Sequence, residues 1–138
     1  MADVDFFKLY NDSNGHQTGD NCLKEIAKLI DDCCERPTDV VGRFGGEEFV
    51  LILPDTDIDD ARRVAENLRK TILEQNIPYG PQNTNPVTLT LGVVSACGNK
   101  IEGIEKLIRD ADAALYKGKD QGRNCVVSAV FDDPEVKV

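Results

Sequence analysis

With 138 residues, 41% hydrophobic and 30% charged, the chain has the bulk of one globular domain and can bury a sizeable core without staples. Its formal net charge of −9 excludes a nucleic acid polymer as partner, because duplex binding neutralises many phosphates with a basic face. No stretch approaches the ~18 apolar residues of a membrane span, and no basic-then-apolar leader opens the chain. The five cysteines form no CxxC pair and the single histidine leaves little for a zinc site, so free thiols in a reducing cytoplasm are expected.

In chain order, Asp3-Val-Asp-Phe-Phe7 reads as the end of a strand. Residues 20–34 carry Leu23, Ile26, Ala27, Ile30, Cys33 and Cys34 at helical spacing, and Pro37 closes that helix. Two β-rich runs, 39–44 and 47–53, flank Gly45-Gly46 and predict a hairpin. A second helix begins at Thr56-Asp57 and turns Ala61, Val64, Ala65, Leu68 and Ile72 inward. The Pro/Asn/Gly-rich stretch 77–86 reads as a loop, and 87–94 as a strand. A third helix runs from about Glu102 to Lys117 with Ile104, Leu107, Ile108, Ala111 and Leu115 inward, and the strand 125–130 follows. The order suits an α+β sandwich on the split βαββαβ arrangement, with a mixed central sheet of about five strands and flanking helices. Residues 131–138 read as a poorly ordered tail, so the domain is expected over 1–130.

Acidic side chains gather where chemistry is most plausible. Strand alternation puts Asp3 and Asp5 on one face, and a neighbouring strand lies ~4.8 Å away, within reach of Glu47 and Glu48 on the hairpin. Such a set suits magnesium, a hard ion that takes one or two carboxylates plus phosphate oxygens and water. Alone, the same residues also read as solvated charge.

The motifs around them change that balance. Asp3-Val-Asp-Phe-Phe-Lys-Leu-Tyr-Asn11-Asp12, followed by Gly15-His16 and Gly19-Asp20, resembles the first signature of GGDEF domains. Gly45-Gly46-Glu47-Glu48-Phe49 is similar to that family's namesake motif in its acidic variant, and 111–124, with Lys119, Gly122, Arg123 and Asn124, is similar to its C-terminal signature. The order is the family's, and the resemblance runs from residue 1 to about 128.

The resemblance implies a palm-like diguanylate cyclase domain that condenses two GTP into cyclic di-GMP, with Mg²⁺ (or Mn²⁺) as cofactor and a homodimer as the working unit. It implies Asp3, the Val4 carbonyl and Glu47 as metal ligands, with Asp3, Glu47 and Glu48 catalytic. Asn11 and Asp20 match guanine-reading residues, although Asp20 also suits an N-cap. Gly45 and Gly46 match a substrate-binding turn and equally suit a plain hairpin turn. Lys119 and Arg123 match triphosphate contacts; four residues apart, they would share a helical face, where cations also favour the macrodipole. Arg36-Pro37-Thr38-Asp39, five residues before Gly45, resembles the family's product-inhibition site, with Arg36 and Asp39 gripping cyclic di-GMP. Phe6, Phe7 and Phe49 read as packing residues and His16 as structural.

The chain departs from the family pattern in two places. An upstream helix and the first half of the first strand are not in it, which predicts unpaired ladder groups beside that strand. Gly118 stands where the family favours Ala, which weakens the last helical turn. A receptor that binds cyclic di-GMP without catalysis, a scaffold, and another two-metal nucleotidyl transferase are the rival readings. Intact Glu47 and Glu48 oppose the first, and the guanine-reading pair opposes the last.

Overall fold

The structure, a computed structural model, describes residues 1–96 and 103–130. The elements run β1 (Ala2–Val4), α1 (Phe7–Asn14), α2 (His16–Cys33), β2 (Val40–Gly45), β3 (Glu48–Ile52), α3 (Ile58–Gln75), β4 (Pro78–Gly80), β5 (Asn83–Pro86), β6 (Leu89–Ser95), α4 (Ile104–Asp120) and β7 (Val126–Val130). Five strands form one mixed sheet in the order β2-β3-β1-β6-β7; only β6 and β7 run parallel. The short β1 lies at its centre and pairs with both neighbours. Ala2 faces Phe49 and Leu91 across the ladders, Asp3 faces Glu48 and Thr90, and the backbones of Met1 and Gly92 bond as well. The expected unpaired ladder is therefore not observed from Ala2 to Val4.

Alternation along the strands builds two layers. Ala2, Val4, Leu89 and Leu91 point into the main core, where Leu23, Ile26 and Ile30 of α2 and Leu68 and Ile72 of α3 meet them, all buried. The residues between them face α4. There, a Cβ added to Gly92 would fall 2.3 Å from the Ala111 carbonyl oxygen, so the helix lies directly on the strand. Asp57 caps α3 by accepting from the Asp60 amide at 2.8 Å, as the predicted start of that helix requires.

Several expectations need correction. Residues 7–14 form a helix that no strong periodicity announces, and α2 begins at His16 rather than Asp20, the two separated by Gly15 at φ 84°. Stretch 77–86 is not a plain loop: β4 and β5 pair as a small antiparallel hairpin. On α4 the buried residues are Ala114, Leu115 and Gly118, whereas Ile104 is exposed. Glu102, Cys97 and the tail 131–138 lie outside the described residues. Cys22, Cys33, Cys34 and Cys125 are free thiols, as expected.

Candidate active site

β1 ends beneath the β2–β3 hairpin, and that end gathers most of the anticipated residues. Asp3 on β1 stands opposite Glu48 on β3, and the Val4 amide donates to the Glu47 carbonyl at 3.2 Å. From the α4 side, Lys119 reaches Asp3 Oδ2 at 3.2 Å. Burial pushes the Asp3 carboxyl up to about 6; Lys119 opposes that shift, while Glu47 and Glu48 add to it. One ammonium thus faces a cluster of like charges that it does not neutralise.

Asp5 has the opposite fate. The chain leaves β1 through Phe6 in the left-handed region (φ 51°), and the Asp5 carboxylate turns into the protein. It accepts from Thr88 Oγ1 at 2.7 Å, Thr90 Oγ1 at 2.6 Å and the Asn124 amide at 3.1 Å. Its backbone carbonyl takes the Tyr79 hydroxyl. Asp5 therefore ties β1, β6, the β4–β5 hairpin and the segment after α4 together, a structural role.

The donor set fits a hard divalent cation in its chemistry: a buried carboxylate held close to protonation beside Glu47 and Glu48 is relieved by added positive charge. Among the described residues no three Asp, Glu, His or Cys side chains converge into a closed metal cage. An ion at this place would be held by few protein oxygens and completed by phosphate and water, as magnesium commonly is.

The hairpin turn is built for close approach. Gly45 pairs with Glu48, leaving Gly46-Glu47 as the turn; Gly46 sits at φ 48°, which favours glycine. A Cβ at Gly45 or Gly46 would meet nothing within 4 Å, so packing within the chain demands neither glycine's bareness. Arg43 Nε donates to the Gly46 carbonyl at 2.7 Å and braces the turn.

Asn11 and Asp20 lie on consecutive helices. Asp20 is the fifth residue of α2 and exposed, so it caps nothing; the cap position is Gly15, without a side-chain bond. Asn11 packs against Gly19, where a Cβ would lie 1.7 Å from Asn11 Oδ1, and that oxygen is buried with no hydrogen-bond partner among the described residues. Beside them a groove of about 450 Å³ opens between α2 and the hairpin strands, lined by Asp20, Leu23, Lys24, Gly42, Arg43 and Phe49 among others.

Lys119 and Arg123 do not share a helical face. Lys119 is in the last turn of α4, whereas Arg123 lies beyond the helix end at φ 66°, after Gly122 at φ 112°. Its guanidinium stacks over the Phe6 ring, 4.4 Å from the centroid. Phe7 and Phe49 are buried as expected; Phe6 is 54% exposed and is not a core residue.

Arg36 and Asp39 form a separate corner. Arg36 Nη2 pairs with Asp39 Oδ1 at 3.0 Å, donates to the Pro54 carbonyl at 3.0 Å, and bonds the Thr56 hydroxyl. Asp39 also accepts from the Arg36 amide at 3.3 Å. The two residues lie together and pair with each other, and Arg36 additionally ties the start of β2 to the approach to α3. Sequence reasoning missed this tie, together with the donors around Asp5, because the partners lie far along the chain.

The GGDEF family model, described as the diguanylate cyclase GGDEF domain, matches residues 1–125. Diguanylate cyclase A of Treponema denticola is 43% identical over 126 residues, covering 91% of this chain and 33% of that protein. The response regulator PleD of Caulobacter vibrioides is 40% identical over 129 residues, with 92% and 28% covered. The chain thus spans about a third of the length of these curated relatives. Among solved structures, the active GGEEF domain of a diguanylate cyclase from Vibrio cholerae superposes with a TM-score of 0.82 at 36% identity, over 95% of this chain and 81% of that one. The GGDEF domain of DgcB from Caulobacter crescentus, solved in complex with c-di-GMP, gives 0.82 at 30% identity, over 92% and 74%.

Proposed function

The chain belongs to the GGDEF family, and from that premise we propose that it is a diguanylate cyclase domain condensing two GTP molecules into cyclic di-GMP and two pyrophosphates. The observation that carries this reading is the buried Asp3 at the end of β1, paired with Lys119 at 3.2 Å and pushed up to about 6, with Glu47 and Glu48 near enough to add to that shift. Asn11 and Asp20 read the guanine: a carboxylate accepts from N1–H and the 2-amino group, a pattern adenine lacks. The bare Gly45-Gly46 turn lets phosphates approach the backbone, and Lys119 and Arg123 hold the two terminal phosphates. Asp3, the Val4 carbonyl and Glu47 would hold Mg²⁺ or Mn²⁺; when bound, the ion offsets charge developing on the phosphates.

In the reaction, the 3′-hydroxyl oxygen of each GTP bonds to the α-phosphorus of the other. The bond from that phosphorus to the leaving pyrophosphate breaks, and the hydroxyl proton passes to Glu48 or to water. Two subunits must therefore meet face to face, each presenting one GTP, and two-fold symmetry is the natural arrangement. Arg36 and Asp39 bind the product and provide feedback inhibition. What supports this role is that the two residues lie side by side with the Arg36 side chain half exposed; Asp39 is buried against Arg36, so gripping the product would open their pair. The setting we infer is cytoplasmic. Among the described residues no helix is long and apolar enough to cross a membrane.

Substituting Glu47→Gln tests the assignment. Turnover of GTP, read as pyrophosphate and cyclic di-GMP by chromatography, should fall by at least ~100-fold. Retained turnover would overturn the placement of Glu47.

A further inference from the structure

Phe6 is an anomaly in this chain. It is a large aromatic residue, 54% exposed, in the left-handed backbone region at φ 51° and ψ 37°. That conformation is uncommon for a bulky residue and persists only where the surroundings impose it. Burial does not hold the ring. Two contacts do: the edge of Tyr79, with centroids 6.4 Å apart at 74°, and the guanidinium of Arg123 over its face.

Both contacts are anchored on Asp5. Tyr79 donates its hydroxyl to the Asp5 carbonyl. Arg123, at φ 66°, precedes Asn124 at φ 46°, whose amide donates to Asp5 Oδ2 at 3.1 Å. Asn124 Oδ1 is held in turn by Arg69 Nη1 of α3 at 2.8 Å. Ring and guanidinium are thus set against each other by backbones fixed to the same residue.

The choice of an aromatic partner has a chemical consequence. A carboxylate would consume the donors of Arg123, as Asp3 engages Lys119. A ring face attracts the cation through its quadrupole and leaves the N–H groups available. The Arg123 amide donates to the Gly118 carbonyl at 3.1 Å, but its guanidinium makes no hydrogen bond or ion pair among the described residues.

We propose that Phe6 is the positioning residue for Arg123, holding its guanidinium ordered and donor-rich for the terminal phosphates of a bound nucleotide. This rests on the reading of the site as a GTP site. The gain is preorganisation: less side-chain freedom is lost when the phosphates arrive.

Calorimetry on the full chain tests it, with Mg²⁺ and two ligands: a GTP analogue carrying a methylene between the α- and β-phosphates, which cannot release pyrophosphate, and GMP. Phe6→Ala should weaken the triphosphate analogue about 2- to 5-fold, the size of an exposed cation–π contact, and leave GMP unchanged. Phe6→Tyr should restore wild-type affinity. In an Arg123→Ala background, Phe6→Ala should cost nothing further. Equal losses on both ligands, or additive losses with Arg123→Ala, would overturn the proposal. An unchanged melting temperature for Phe6→Ala separates these results from misfolding. If the unmodified chain bound neither ligand, the reading of the site itself would fail, and the role of Phe6 with it.

Discussion

Asp3 and Asp5 sit two residues apart on the same side of the sheet, yet the regions around them are built in opposite ways. Around Asp5 both carboxylate oxygens are answered: two hydroxyls and a backbone amide converge on one buried group. Around Asp3 one lysine pairs with the carboxylate while Glu47 and Glu48 add like charge, and the carboxyl is pushed up to about 6. A saturated buried charge is part of the framework, whereas one left short of partners marks where a ligand would complete the arrangement. The contrast places Asp5 in the framework and supports the chemistry proposed for Asp3, and it can be broken from either side.

The largest effect on stability is expected at the saturated end. Asp5→Ala strands Thr90 Oγ1 in the interior and frees the Asn124 amide, and should cost about 3–5 kcal/mol in denaturant unfolding. A cost below about 1 kcal/mol would remove Asp5 from the framework. Gly19→Ala comes next. Its methyl would overlap Asn11 Oδ1, so Asn11 must move, costing about 1–3 kcal/mol and weakening guanine nucleotides by about tenfold or more in calorimetry.

At the unsaturated end the sign reverses. An unfolded aspartate titrates near 3.8 and folded Asp3 at about 6, so between these values the folded chain holds a proton that the unfolded chain has released. Stability therefore falls as pH rises from about 4 to about 6 and is flat above that window, as far as this group is concerned. Asp3→Asn should flatten that slope and stabilise the chain by about 1–2 kcal/mol at pH 7, while abolishing turnover. Destabilisation by Asp3→Asn would equate the two aspartates. The smallest effect concerns Gly118, which packs on Thr90: an added Cβ would lie 2.7 Å from the Thr90 methyl. Gly118→Ala gains helix propensity but loses packing, for a net cost of about 1 kcal/mol that Thr90→Ser should relieve. The glycine is thus a packing choice rather than only a weak helical residue.

How far the sequence could be read follows the same division. The hairpin, α3 and the central strands were legible because Gly45-Gly46, Asp57 and the apolar spacing are local signals. Helix α1 was not, since Asn11-Asp-Ser-Asn14 carries residues that compete with helical bonds, and tertiary packing of Phe7 and Tyr10 overrides them. The shared face expected for Lys119 and Arg123 failed because the helix ends before Gly122, after which the backbone turns left-handed. The saturation of Asp5 depends on Thr88, Thr90 and Asn124, more than eighty residues away in the chain, and no local pattern reports it. The motif matches pointed to Asp3, Glu47 and Lys119 together, but only the folded arrangement separates Asp3 from Asp5, two aspartates in the same signature.

The most direct test of the account is to incubate the chain with GTP and Mg²⁺ and resolve the products by chromatography, with Asp3→Asn alongside. The account predicts cyclic di-GMP with two pyrophosphates per molecule from the unmodified chain and none from the variant. Unchanged GTP, together with cyclic di-GMP binding that is lost in Arg36→Ala, would contradict it and make the chain a receptor.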